Sequence, residues 1–435
     1  MEEFVYIDGK KYRRGYTTGS CATAVSKAAV YMLLTNEKID TVNIDTPKGI
    51  YLSIPVVSSE IKKNEDTGEI YSICSVQKDG GDDIDATNGI EIFAKATWVY
   101  EDEIDKSENN FSFEGEGFCV FSGEGIGIIT KKGLSVEPGR PAINPVPQKM
   151  IAKEVESVLK ASGEKVLNDK SSLKNSLNLE KENSLGDENS LGDENSLGDE
   201  NSLDNRKKVI KITIFIPKGE EVANKTFNPR LGIVGGISII GTSGIVEPMS
   251  DEGWKKSLSI ELNMKKELGM DSIILVPGNH GESFISDRIG ENSFVVRTSN
   301  FLGYMLMEAK RMGFKKILLA GHIGKFIKLS AGIFNTHSKV ADARNEILIA
   351  NLALMGASTD LVRKIDACLT TEEATDIVYE NGFGEVFDII CEKCKKRAEM
   401  HVDNEIEIEV FIFKMDKTVL GKSKNAEEML ESFRK

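Results

Sequence analysis

The sequence predicts an α/β plus α+β protein: an N-terminal α+β domain and a C-terminal Rossmann-like doubly wound domain, separated in the chain by a disordered acidic repeat insertion. Three observations predict it. β-like runs and one amphipathic helix are spaced irregularly before residue 166. Short apolar runs alternate with helices from about residue 232 onwards. Between these regions the hexapeptide NSLGDE runs three times in register from Asn183 and decays into NSLDN, ending at Asn205. The domains are drawn at 1–166, continued at 206–230, then 167–205 for the flexible low-complexity insertion, and 231–435 for the Rossmann-like part.

Along the first domain, Arg13–Ala24 (RRGYTTGSCATA) puts hydroxyl residues just before a run of small residues, so Thr17, Thr18 or Ser20 is a natural N-cap of a helix. A helix start leaves free N–H groups and a partial positive charge able to receive an anion; a plain cap is the alternative. β-like runs follow at Thr41–Asp45, Ile70–Gln77 and Ile90–Val99. Lys78–Thr87 (KDGGDDIDAT) clusters carboxylates in a way that suits a hard cation, a proton acceptor or simply a turn. Gly123–Thr130 reads as glycine-punctuated backbone architecture, and Gln148–Leu159 as an amphipathic helix. Residues 208–216 (KVIKITIFI) alternate with period two and are expected to pair back onto the first region's sheet.

Each NSLGDE repeat offers two acids and a glycine against one leucine, too little apolar surface to stack a core. Lengthening an exposed loop costs entropy only logarithmically, so such an insertion is tolerated. Residues 168–205 hold ten acids against three lysines, which is half of the chain's formal charge of −14. The global acidity therefore says little about a site elsewhere.

In the C-terminal domain the expected elements are ISII (237–240), a helix from about Asp251 to Leu268, SIILV (272–276), FVV (294–296), a helix at Asn300–Met312, ILLA (317–320) and a helix from about Val340 to Met355. Apolar runs of this length between helices indicate parallel strands covered on both faces. EIEIEVFIF (405–413) is expected to extend the same sheet. Ligands of such sheets bind at the carboxyl ends of the strands, so the loops there come first. The first is Gly241-Thr242-Ser243-Gly244, whose glycines let a cofactor approach the backbone and whose hydroxyls can donate and accept; a tight connection is the alternative. It is not the G-x-G-x-x-G fingerprint. PGNHGE (277–282) and AGHIGK (320–325) each follow an apolar run, which brings His280 and His322 to equivalent strand ends. Lys325 and Lys328 come next and can hold carboxylates or phosphates, or be plainly solvated. His337 reads as capping support beside Thr336 and Ser338, and His401, in a polar tail, has no assigned role.

Composition narrows the function classes. A chain of 435 residues holds two or three domains. No apolar run approaches the roughly 18 residues of a membrane span, and MEEFVYIDGK lacks the features of a signal peptide, so a soluble, cytoplasmic protein is expected. Six scattered cysteines argue for reduced thiols. Cys391-x-x-Cys394 has metal-like spacing with only His401 nearby; it reads as a helical surface pair, and no protein metal site is expected. The acidic balance disfavours a nucleic-acid binder. The G-x-S-x-G elbow and the H-E-x-x-H helix are both absent.

Several long stretches together resemble one family, the cobalt-precorrin-5B C1-methyltransferases of anaerobic cobalamin biosynthesis (the CbiD family). They are RRGYTTGSCATAVSKAA, VQKDGGDDIDATNG, GEGIGIITKKGLSVEPGRPAINPVPQKMI, FNPRLGIVGGISIIGTSGIVEPMS, VPGNHGE and SNFLGYMLMEAKRMGFKKILLAGHIGKFIKLSAGIFNTHSKVADAR, in this order. The resemblance implies methyl transfer from S-adenosylmethionine to carbon C1 of cobalt-precorrin-5B, giving cobalt-precorrin-6A. Cobalt then enters only within the substrate, and the partner is a small tetrapyrrole, with no nucleic acid or membrane and with a homo-oligomer left open. The GGGD-type signature of other corrin-ring methyltransferases is absent. On this basis His322 and His280 are candidates for base or orienting group. Gly241, Thr242, Ser243 and Gly244 are placed at adenosylmethionine, and Arg13, Arg14, Thr17, Thr18, Ser20, Lys325 and Lys328 at the acetate and propionate arms. A nucleotide-dependent oxidoreductase and a non-catalytic corrinoid carrier are the other readings.

Overall fold

The computed structural model describes residues 4–7, 9–65, 68–181, 206–290 and 293–434. The chain is mixed α/β and forms two compact units, Met1–Lys131 with Ser135–Met249, and Lys132–Leu134 with Ser250–Lys435.

Unit 1 is built on a six-stranded sheet of β1 (Ser58–Lys63), β2 (Ile70–Gln77), β3 (Glu91–Tyr100), β4 (Phe111–Gly115), β5 (Phe118–Ser122) and β6 (Lys208–Phe215), in the order β1-β2-β3-β6-β5-β4. The alternating segment 208–216 does pair back: β6 runs antiparallel to β3 from Lys208 opposite Tyr100 to Phe215 opposite Phe93, and parallel to β5 on its other side. Helix α1 (Thr18–Thr35) starts at the N-cap Thr17, whose side chain accepts from Ser20 N. Its small residues Cys21, Ala22, Ala24, Ala28 and Ala29 are fully buried, which lets α1 lie close against β2, β3 and the next helix. That helix, α2 (Pro145–Lys181), begins on a proline, whose missing N–H is no loss in the first turn. Its backbone stays helical past residue 167, where the insertion was expected to begin. The NSLGDE repeats lie outside the described residues.

The unit boundary differs from the one drawn on the sequence. ISII is not the first strand of the C-terminal sheet, because residues 233–246 pair with unit 1. Ile233–Val234 pairs with Ile128–Ile129, Gly236–Ile237 with Gly125–Ile126, and Ile245–Val246 with Gly15–Tyr16. Ile237, Ile239 and Ile245 are buried in the unit 1 core. The division therefore falls after Met249 rather than at 230, and it takes the Gly241–Gly244 loop with it. A four-residue apolar run cannot announce which sheet it joins; its pairing partners, Ile126 and Ile143, lie about a hundred residues away.

Unit 2 holds a five-stranded sheet of β7 (Ser272–Val276), β8 (Val295–Arg297), β9 (Lys316–His322), β10 (Glu407–Phe413) and β11 (Val419–Lys422), in the order β8-β7-β9-β10-β11. The first four are parallel and β11 is antiparallel, so EIEIEVFIF does extend this sheet. Both faces are covered. Helices α3 (Asp251–Glu267), α5 (Leu302–Arg311) and α6 (Val386–His401) bury one face; α4 (Asn279–Ile289) and α7 (Ala426–Glu431) bury the other. Cys391 and Cys394 on α6 are completely buried, not at the surface as expected, because both face the core under the sheet. The helix expected from Val340 starts instead at Arg344, after an exposed turn. No helix among the described residues is long and apolar enough to cross a membrane.

Candidate active site

Two polar clusters follow from this architecture, one in each unit. In unit 1 the loop Gly241–Gly244 sits on the start of α1, so two groups of residues expected in separate domains are neighbours. Their polar atoms are spent on each other. Thr18 Oγ1 shares its proton between the carbonyls of Ser238 and Ile240 (3.2 Å each) and accepts from Ile240 N at 2.9 Å. Ser20 Oγ donates to Gly244 O at 2.6 Å, Gly19 N donates to Ile240 O at 2.9 Å, and Thr17 Oγ1 accepts from Ser20 N at 3.2 Å. Ser243 Oγ closes a local turn onto Ile245 O at 2.9 Å. The first-turn amides of Gly19, Ser20 and Cys21 are thus already bonded. Gly241 has φ +138°, and a Cβ there would lie 2.3 Å from Thr17 Oγ1. Backbone packing alone accounts for this glycine; of the loop, only Thr242 is exposed.

The nearby basic residues are also engaged. Arg13 makes a two-pronged ion pair with Asp79 (2.5 and 2.7 Å), which holds the Asp79 carboxyl below the usual range, and its amide donates to Asp82 at 2.6 Å. Arg14 and Lys48 both pair with Glu247. The carboxylate cluster of Lys78–Thr87 is likewise structural: Lys78, only 2% exposed, pairs with Asp85, whose other oxygen receives Thr87 N and Oγ1. Arg13, Thr17, Thr18 and Ser20 are therefore engaged within unit 1, and Arg14 pairs there with Glu247 while its buried Nε makes no hydrogen bond to any described residue.

The second cluster is at the carboxyl edge of the unit 2 sheet. The chain leaves β7 into α4 on one face and leaves β9 towards α6 on the other. Neighbouring parallel strands whose connections depart to opposite faces open a crevice between them, the usual ligand position in open α/β sheets. His280 lies in the first turn of α4 beside this crevice; it is exposed, and its ring has no hydrogen bond to any described residue. A Cβ on the next residue, Gly281, would lie 3.0 Å from Ala320 O, so α4 begins against the end of β9. Glu282 and Arg297, joined as an ion pair (Nε donating at 3.0 Å), tie α4 to the end of β8.

His322 ends β9 and behaves differently from His280. Its Nδ1 accepts from Gly324 N at 3.1 Å, so the neutral ring carries its proton on Nε2, which donates to Glu372 at 2.8 Å. The same Glu372 accepts from Met415 N after β10 at 3.3 Å. Both ring nitrogens are engaged, and His322 acts as a cap and a strut. Sequence reasoning missed Glu372, fifty residues downstream on helix Thr371–Glu380, because nothing local marks it. Exposed Leu369 and Met415 flank it and offer apolar surface.

Of the two lysines, Lys325 is half-buried and makes no hydrogen bond or ion pair with any described residue; burial and then the nearby Lys328 charge push its pKa down. Lys328 is 2% exposed and donates to two carbonyls, so it does not line the crevice as expected. His401, left without a role, stacks on Phe334 at 4.3 Å and bonds Gly303 O at 3.1 Å.

A family profile, CbiD, matches residues 5–172 and 198–248, and that of the CbiD C-terminal domain matches residues 335–424. The chain is 52% identical to the cobalt-precorrin-5B C(1)-methyltransferase of Clostridioides difficile (strain 630), with all of both chains covered. It is 43% identical to that of Thermoanaerobacter sp. (strain X514), covering 97% of this chain and 98% of the relative. A crystal structure of the cobalamin biosynthesis protein CbiD from Archaeoglobus fulgidus is 22% identical, covering 79% of this chain and 88% of that one, with a TM-score of 0.35. The long ordered stretches and the full-length matches agree: this chain belongs to the CbiD family, the cobalt-precorrin-5B C(1)-methyltransferases of cobalamin biosynthesis.

Proposed function

We propose that this chain transfers the methyl group of S-adenosylmethionine to C1 of cobalt-precorrin-5B, giving cobalt-precorrin-6A, at the carboxyl edge of a Rossmann-like unit 2 sheet. The full-length similarity to enzymes of that name supports the reaction. One observation carries the site: His280, in the first turn after β7, and Lys325, in the turn after β9, have no described hydrogen-bonding or ionic partner, whereas Thr18, Gly19 and Ser20 of the unit 1 cluster are spent on the carbonyls of Ser238, Ile240 and Gly244.

In the reaction the S–CH3 bond breaks as the C1–CH3 bond forms, the sulfonium becomes a neutral thioether, and the macrocycle gives up a proton. Aligning two bulky reactants in line supplies up to about 7–11 kcal/mol of the barrier reduction. His280 takes the proton, a contribution of about 10² to 10⁴ in rate for a positioned base. Lys325 holds a carboxylate arm of the ring, and Leu369 and Met415 present apolar surface to its face. His322 and Glu372 keep the ends of β9 and β10 in place. Cobalt belongs to the substrate.

The test is incubation of the purified chain with methyl-labelled S-adenosylmethionine and cobalt-precorrin-5B, following label and product mass. Label in a product heavier by one methyl group is expected; tetrapyrrole binding without label transfer would leave a carrier instead. Loss of turnover in His280→Ala with retained binding of both substrates locates the chemistry.

A further inference from the structure

Among the described residues of unit 2, Lys328 is the one buried cation. Its ammonium makes no ion pair with any described carboxylate; it donates to Thr336 O at 3.2 Å and Ala341 O at 2.7 Å. Asp342, the nearest acid in sequence, is held by Arg344 at 2.5 Å. Keeping a charge out of water without a counter-charge is unfavourable, and burial does lower the Lys328 pKa. Its two acceptors are the two ends of one exposed turn, His337–Val340.

That turn is internally braced. His337 N donates to Asn335 Oδ1 at 3.2 Å, Lys339 N to His337 Nδ1 at 3.1 Å, and Val340 N to His337 O at 3.1 Å. Thr336, at its base, donates through N to Asn300 O at 3.0 Å, which ties the turn to the loop after β8 and hence to the carboxyl edge. Because His337 accepts at Nδ1, its neutral ring carries the proton on Nε2. Neither that N–H nor the Lys339 ammonium has a partner among the described residues. A braced turn at a sheet edge thus presents the His337 ring N–H in a fixed orientation and the Lys339 ammonium from a fixed backbone beside it, which lowers the ordering cost of recognising an anion.

We infer that the turn His337–Val340 recognises a carboxylate arm of a polycarboxylate tetrapyrrole through His337 Nε2 and Lys339 Nζ, and that Lys328 is the positioning residue that holds the turn for it. The inference rests on the tetrapyrrole reading of the site. It moves Lys328 from direct substrate contact to a role exerted through Lys339.

The experiment titrates the full-length protein with uroporphyrin III, a tetrapyrrole bearing acetate and propionate arms, by fluorescence, alongside S-adenosylmethionine binding by calorimetry and the wild-type methyl-transfer assay. Lys339→Ala is exposed and leaves the packing intact; it is expected to raise the uroporphyrin Kd about tenfold, with Lys339→Arg restoring most of the affinity. Lys328→Met is expected to match it, and the double variant to be no weaker than Lys328→Met alone, since both act through one contact. S-Adenosylmethionine affinity stays unchanged. Should Lys328→Met fail to fold, Lys339→Ala and His337→Ala decide alone. Unchanged uroporphyrin affinity in Lys339→Ala, fully additive losses, or no binding by the wild type overturns the inference. Weakened binding in the variants of a wild type that transfers no methyl group sustains it and removes the catalytic reading instead.

Discussion

The cluster at the start of α1 and the carboxyl edge of the unit 2 sheet are made of similar material, glycines with hydroxyls and cations in short loops, yet they differ in what their polar atoms touch. In unit 1, Thr18, Ser20 and Gly19 bond the carbonyls of Ile240 and Gly244, and the arginines pair with Asp79 and Glu247. In unit 2, His280 and Lys325 follow β7 and β9 and have no described hydrogen-bonding or ionic partner. The lesson is that residue type marks where special backbone geometry is needed, while unspent hydrogen-bonding capacity marks where a ligand fits. A buried polar group must be satisfied by something, and the chain itself satisfies the hydroxyls of the first set.

The contrast is open to attack at both ends, and the largest effect is expected in unit 1. Gly241→Val places a β-branched residue at φ +138° against Thr17; a loss of at least about 3 kcal/mol is expected, read as a fall in Tm or in soluble yield. A normal Tm with lost S-adenosylmethionine binding would return the cofactor to this loop. Next comes His280→Ala, expected to lower kcat about 100-fold at unchanged Tm. His322→Ala should do the reverse, costing roughly 1–2 kcal/mol of stability through the lost cap. Full turnover in His280→Ala would show that the base lies elsewhere.

Lys325→Met is expected to weaken tetrapyrrole binding about tenfold at neutral pH. The sign of its pH dependence follows from its lowered pKa: the cation that holds the carboxylate is present at low pH and is lost as pH rises through a value below the ordinary lysine range. Wild-type affinity should therefore fall earlier on the alkaline side than an ordinary lysine allows, and the variant should lack that limb. The smallest effect is Ser20→Ala, which leaves the buried Gly244 carbonyl without its hydroxyl donor at a cost of about 1 kcal/mol in thermal or denaturant unfolding, with no change in turnover.

Much of the fold was legible. Ile70–Gln77 is a strand over the expected residues, 208–216 returns to the first sheet, and SIILV, ILLA and EIEIEVFIF all enter the second. These segments announce themselves because period-two alternation and short apolar runs between helices are local consequences of burial on one or both faces. ISII failed for the same physical reason in reverse: its burial is real, but its partners, Ile126 and Ile143, lie in unit 1 rather than in the C-terminal sheet. At the site, the two histidine loops were correctly placed at strand ends. Which histidine is spent was illegible, since His322 is occupied by Glu372 across fifty residues of chain.

Sequence by itself determined the family, the strand and helix segments and the residue types at the sheet edge, because these depend on local pattern or on long ordered similarity. Only the tertiary structure decided the unit to which Gly241–Gly244 belongs, the engagement of His322 and the burial of Lys328 beneath its turn. Each of those depends on a contact between distant segments. Hydrogen-bonding capacity is conserved along a sequence but is allotted only when the chain folds.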